Sequence, residues 1–275
     1  MLYSRHKKVT LFTYFIFYYA IFLSFALSQR LLSQYQPIFF THNRDLAELF
    51  ILSIGLPVLM IKHPPLYFVT DFFMLITPVI LIIFYLRYKI FSISIGIFFL
   101  FLFSLYFLLQ NIFTQLHPEM FMGLFVLAFV FTTNKEKYFY NILALCRYFF
   151  IYLFVSAAIW KIARGSFLNI DQFSNILISQ HDDILSTNCN TIICRFYFFL
   201  IDNIYFSYAL YIGAIVMELF FAIGFFTRRF DKILLLLAII FFIFDHLIMR
   251  IPFWPAMVCG ISFLIKEKSK NVNDN

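Results

Sequence analysis

R-Y-F-F-I-Y-L-F-V-S-A-A-I-W-K-I-A-R-G-S-F, residues 147–167, reads as a membrane-spanning helix that ends in a lysine. Small residues, Ser156, Ala157 and Ala158, stand just before Lys161. A lysine at that place has two readings. It snorkels, with its stem in lipid and its ammonium among the headgroups. Or it lies in a low-dielectric pocket and works as a base, a role that a carboxylate from Asp245 or Asp71 beside it would oppose by holding the ammonium.

Working outward, the whole chain shares this character. It has 275 residues, of which 63% are hydrophobic and only 13% charged. A soluble domain could not cover itself with so little polar surface, so lipid is the expected solvent. Phe and Tyr outnumber Gly and Ala, which confines close small-residue helix packing to a few places and reads as lipid-facing bulk. The net charge of +7 sits at the ends of apolar runs, where it orients spans, and is not a nucleic-acid signal. There is no P-loop, no dinucleotide fingerprint and no zinc-type cysteine spacing. The first apolar run lacks a small-residue cleavage site and is expected to remain as a span.

The expected fold is all-α, a polytopic transmembrane helical bundle of about eight spans plus one re-entrant or interfacial segment. Arg5, His6, Lys7 and Lys8 precede the first run, Val9 to Gln29. Further spans read as Leu66 to Leu86, Ile90 to Leu109, Pro118 to Thr133, Tyr138 to Lys161, Asn203 to Phe226, Phe230 to Met249 and Pro252 to Ile265. Leu46 to Ile61 is short and broken by Gly55 and Pro57. The basic groups at 87–89, 135–137, 228–232 and 266–270 all fall on the cytoplasmic side only if that segment does not cross. Both termini are then cytoplasmic, in a bacterial inner membrane. Residues 1–275 form a single membrane domain, with a long outer loop at 163–202 and a cytoplasmic tail at 266–275.

That sidedness gathers scattered ionisable groups near the outer boundary. Lys161, Asp245 and His246 are the candidate catalytic residues. Arg250, Trp160, His117 and Asp71 are the candidate lining of a cofactor site. Ionised groups in spans each cost ~2.5–3.5 kcal/mol and usually face a cavity or a partner. Each also has a plainer reading. Asp245 salt-bridges Lys161 or Arg250 inside the bundle; His246 is a satisfied core histidine; His117 and Glu119 flank a proline where Glu119 caps a helix. Glu218, nearer the cytoplasmic half, reads as an interhelical hydrogen-bond partner. Cys189 and Cys194, spaced C-x4-C in the outer loop, read as a disulfide that pins it.

F-V-S-A-A-I-W-K-I at 154–162, M-E-L-F-F-A-I-G-F-F-T-R-R-F at 217–230 and F-F-I-F-D-H-L-I-M-R-I-P-F-W-P-A-M at 241–257 together resemble the membrane domain of vitamin K-dependent gamma-carboxylases and the related HTTM proteins, with DoxX-like proteins more distant. The resemblance covers residues 140–265. It implies that Lys161 is a base acting on a quinone-type cofactor. Phe242 stands where the family has a histidine, with His246 one turn later, and Trp160 replaces the family's other lysine. Nothing corresponds to the large soluble domain that takes glutamyl substrate, so protein carboxylation is not expected.

The expected function is therefore binding of a quinone or lipid-like ligand, with redox or proton-transfer chemistry at Lys161. The alternative is a non-catalytic membrane subunit that docks a partner protein through its outer loop in peptide maturation or secretion. Membrane lipid is a partner under both readings.

Overall fold

The computed structural model describes residues 2–34, 46–87, 89–114, 121–186, 191–249 and 254–266. Every regular element among them is helical: α1 (Leu2–Leu27), α2 (Leu46–Ser53), α3 (Leu56–Lys62), α4 (Pro65–Arg87), α5 (Lys89–Thr114), α6 (Met122–Ala128), α7 (Glu136–Ala163), α8 (Gln172–Gln180), α9 (Asp182–Leu185), α10 (Ile192–Asp202), α11 (Ile204–Phe220), α12 (Ile223–Phe226), α13 (Asp231–Ile248) and α14 (Ile261–Leu264), with short 3-10 turns between some of them. Five stretches are long and apolar enough to cross a membrane: Tyr3–Gln34, Pro65–Tyr85, Ile93–Phe113, Glu136–Ala163 and Ile204–Phe226. Met122–Thr132 and Pro255–Leu264 are apolar but shorter. Helix α13 is apolar along its middle and carries Asp231, Lys232 and Asp245 towards its ends. The chain divides into two compact units, Met1–Cys146 with Ile265–Asn275, and Arg147–Leu264.

In the first unit α1 and α4 run antiparallel. Lys7 Nζ stands 3.9 Å from the centre of the Tyr85 ring, and Tyr18 and Tyr19 donate to the carbonyls of Met74 and Leu75 at 2.8 and 3.0 Å. The tyrosines answer a local defect. Pro78 lies inside α4 and has no N–H to give the carbonyl of Met74, four residues back. In lipid no water takes that place, so the Tyr18 hydroxyl from the neighbouring helix does.

Residues 121–132 run antiparallel to both α1 and α5. Phe107 stacks on Phe121 at 4.1 Å and Phe103 on Phe125 at 6.4 Å, while Tyr14 meets Phe131 at 5.0 Å and Phe25 meets Phe121 at 5.2 Å. Gly96 lets this chain come close, because a Cβ there would sit 2.7 Å from the Phe131 carbonyl oxygen. Neither partner is a flexible side-chain end. Gly96→Ala is expected to cost about 1–3 kcal/mol by overpacking, read as a lower thermal midpoint in detergent.

The two ends of this unit differ. At one, Lys7 donates to the Asn134 side chain at 3.1 Å and Tyr3 to its carbonyl at 3.2 Å. At the other, Asp71 accepts from the Tyr106 hydroxyl at 2.7 Å and the Ser33 N–H at 2.8 Å, and Gln110 donates to the Arg30 carbonyl at 2.8 Å. Helices α2 and α3 are separated at Ile54–Gly55, and Asn111 of α5 donates to the buried Glu48 of α2.

In the second unit α7 runs antiparallel to α11–α12 and parallel to α13. Arg147, on α7, is 1% exposed. Its guanidinium spans Asp231 at 2.7 Å and the carbonyls of Gly224 and Thr227 at 2.7 and 2.9 Å. Phe154, two turns on, stacks on Phe221 at 3.9 Å and meets Phe241 edge-on at 5.3 Å. The core of the unit is thus aromatic, with the ion pair at its base.

Candidate functional site

Lys161 lies fourteen residues beyond Arg147 on the same helix, about 21 Å along its axis at 1.5 Å per residue. Its ammonium donates to Glu218 Oε1 at 2.6 Å. The glutamate side chain is 2% exposed and the lysine 29%. Helical side chains lean towards the helix N-terminus, so the lysine stem runs back into the bundle from the end of α7. The ammonium therefore meets a buried carboxylate on α11.

The next contacts continue the same antiparallel register. Gly165, at φ 68, turns the chain at the end of α7, a left-handed conformation that glycine adopts without steric cost. Ser166 then donates to the Lys161 carbonyl at 2.8 Å and shares a 2.8 Å hydrogen bond with the Tyr211 hydroxyl. Tyr208 donates to the Phe167 carbonyl at 2.8 Å. Glu218 lies fourteen residues, about 21 Å, from the start of α11 at Ile204 and two residues before its end, inside the longer apolar stretch Ile204–Phe226.

Asp245 joins the pair from α13. It is buried and interacts electrostatically with both Lys161 and Glu218. Two carboxylates and one ammonium thus share an apolar core, and the carboxylates are not fully used. Glu218 Oε2 and Asp245 Oδ2 are buried and accept no hydrogen bond. Two free acceptors beside one ammonium suit a ligand group that donates hydrogen bonds, or an exchangeable proton.

Residues 166–186 and 191–202 close one side of the site. Phe173 and Leu177 of α8 and Leu200 of α10 pack with Ala158, Tyr211, Ile215 and Ile248 in one apolar cluster. His181, fully buried, bonds the Ile248 carbonyl through Nε2 at 2.6 Å and stacks on Tyr197 at 4.0 Å. Tyr197 donates to the Leu247 carbonyl at 2.8 Å. Both bonds satisfy carbonyls at the C-terminal end of α13, where the helix leaves acceptors without internal partners. The flank of Lys161 that stays open is bordered by exposed Ile159, Trp160 and Ile162, which are apolar.

The expected residues are partly gathered. Lys161 and Asp245 belong to one site. His246 is exposed on α13, while Asp245 beside it is buried. Trp160 is exposed, and the Arg164 guanidinium lies 4.3 Å from its ring centre. Asp71 is in the other unit and committed to Tyr106 and Ser33. His117, Glu119, Arg250 and Cys189 lie outside the described residues. Cys194 is disulfide-bonded, and Cys146 and Cys259 are free and buried. The ion-pair partner of Lys161 is Glu218; Asp245, with the plainer reading of a salt bridge to Lys161 or Arg250, adds an electrostatic interaction with Lys161. No cluster of three metal-ligating side chains occurs among the described residues.

Glu218, which the sequence reads as an interhelical hydrogen-bond partner nearer the cytoplasmic half of its helix, does join two helices, and its partner is Lys161. The available signal was chemical: an acidic residue inside a span needs a partner, and few cations lie inside spans here. Arg147 carries the same signal: it falls inside the Tyr138–Lys161 span with apolar sequence on both sides, and its partner is Asp231. No protein-family model, no curated protein and no solved structure matches this chain.

Proposed function

We propose that the chain is a multipass protein of a bacterial inner membrane whose Arg147–Leu264 unit binds an amphipathic, quinone- or lipid-like ligand and takes a proton from it in the site formed by Lys161, Glu218 and Asp245. The observation that carries this reading is the Lys161–Glu218 pair with a buried, unused carboxylate oxygen on each of Glu218 and Asp245. A ligand hydroxyl would donate to one of those oxygens. Its proton passes to the carboxylate, and the ligand oxyanion is held by the Lys161 ammonium. Apolar side chains border the open flank of Lys161, which favours entry from lipid over entry from water.

Eight crossings with both termini cytoplasmic complete the proposal. Because α1 and α4 are antiparallel, residues 28–64 bring the chain back without a net crossing, which supports a non-crossing α2–α3 segment. Residues 121–132 and 254–264 are short, and count as crossings because they run antiparallel to α5 and are packed against α13. Lys7 and Asn134 share one end, which puts the basic N-terminal segment beside the basic 135–137 loop, as cytoplasmic placement of both requires.

Native mass spectrometry of the full chain released from lipid nanodiscs tests the ligand. The unaltered protein should carry a small amphipathic molecule. Lys161→Ala and the isosteric Glu218→Gln should each lose it while remaining folded. Full retention in both variants would overturn the site. Sidedness has its own test: Asp171→Cys and Arg229→Cys, both exposed positions, should be labelled by a membrane-impermeant maleimide from opposite faces of right-side-out vesicles.

A further inference from the structure

We infer that α10 is an interfacial membrane helix, with one face packed on its own unit and the other immersed in the acyl chains of the adjacent leaflet. The inference does not depend on the ligand proposed for Lys161. It concerns the stretch that sequence alone offered as a docking loop for a partner protein.

The two faces of α10 are sharply different in role and alike in chemistry. Cys194, Tyr197 and Leu200 recur at a spacing of three and are buried. They lie against α8, α11 and the end of α13, with the Tyr197 hydroxyl on the Leu247 carbonyl. The opposite face presents Ile192 at 86% exposure, Ile193 at 61%, Phe196 at 43% and Phe199 at 48%. Arg195 is the one charged residue within that face, with Asp202 at the helix end. A helix that turns such a face to water would expose a contiguous apolar patch of the kind soluble surfaces avoid.

The covering material follows from what the patch adjoins. Asn203 alone separates α10 from α11, one of the helices long and apolar enough to cross a membrane. The first turn of α11 carries exposed Tyr205 and Phe206, and the Phe206 ring meets Phe199 of α10 at 5.7 Å. The exposed face of α10 is therefore continuous with the lipid-facing surface of a spanning helix. Apolar residues on one side, an arginine able to reach outward along its own stem, and a length of eleven residues suit a helix lying in the plane of the interface. The N-terminal end is fixed by the Thr191 hydroxyl, which accepts from the Cys194 N–H, and by the disulfide at Cys194.

Site-directed fluorescence on the full chain in liposomes tests this. Ile193→Cys and Phe199→Cys, each carrying an environment-sensitive fluorophore, are compared with Asp171→Cys, an exposed polar position in the same connection. Lipids brominated on their acyl chains should remove most of the fluorescence at 193 and 199 and little at 171. Aqueous iodide should do the reverse. Iodide quenching at 193 and 199 equal to that at 171 would overturn the inference in favour of a water-facing docking surface. Protection of both positions from both quenchers would overturn it in favour of a second copy or a partner protein seated on the helix.

Discussion

Arg147→Ala is expected to cost about 3–5 kcal/mol and to unfold the Arg147–Leu264 unit in mild detergent, because it removes one member of a buried ion pair and strands the other. Arg147 is 1% exposed and Asp231 2% by side chain. The guanidinium does three things at once. It bonds Asp231 through both Nε and a terminal nitrogen, and it takes the carbonyls of Gly224, within α12, and of Thr227, in the turn between α12 and α13. Without it, an ionised carboxylate and two carbonyls are left in a place that water reaches poorly. Arg147→Lys should recover only part of the loss, since a point-like ammonium cannot span the carboxylate and both carbonyls in one plane. Asp231→Asn should fall between the two. Thermal unfolding of all three in one detergent checks the order. A loss within about 0.5 kcal/mol for Arg147→Ala would place the pair among exposed ion pairs and remove its structural role.

The sequence made the class of fold readable for a simple reason. Long apolar runs in a chain this poor in charge require lipid, and lipid requires helices whose backbone groups are satisfied internally. The five long helices lie where the apolar runs predict them. The shorter elements were less legible. Met122–Thr132 ends in a 3-10 turn, and the last apolar stretch, from Trp254 to Leu264, is mostly 3-10. Hydropathy records how apolar a stretch is, not the pitch of its turns.

The site was readable only in part, and the reason is geometric. Loop charges give the order of crossings, which brought Lys161 and Asp245 to one end of the bundle. They give no depth. Lys161 is two residues from the end of α7, and sequence alone equates that helix end with a membrane boundary. The Ser166–Tyr211 and Tyr208–Phe167 bonds carry the chain past that helix end along α11, towards Ile204. Only that register places Lys161 opposite Glu218, fifty-seven residues away. Composition marks 163–202 as a mixed stretch, whereas the spacing of Cys194, Tyr197 and Leu200 is what folds it back onto α11 and α13.

Lys161→Met is the second substitution with a large expected effect, and a double-mutant cycle separates its two roles. Removing the lysine leaves Glu218 with both oxygens unpartnered beside Asp245, in a core whose other walls are Phe154, Phe221 and Tyr211. The cost should approach the ~3–5 kcal/mol of a broken buried pair, reduced by the partial exposure of the lysine. The reverse substitution, Glu218→Leu, leaves an ammonium that still reaches the open flank, so it should cost less. Replacing both, Lys161→Met with Glu218→Leu, should recover most of the stability, because well-packed apolar residues substitute for buried ion pairs with little loss. What separates a structural pair from a working one is the bound molecule. If the pair only joins α7 to α11, the double variant regains stability and keeps its ligand. The proposed proton transfer requires that it regain stability and carry nothing, so thermal midpoint and ligand occupancy, measured on the same four proteins, must part company at the double variant.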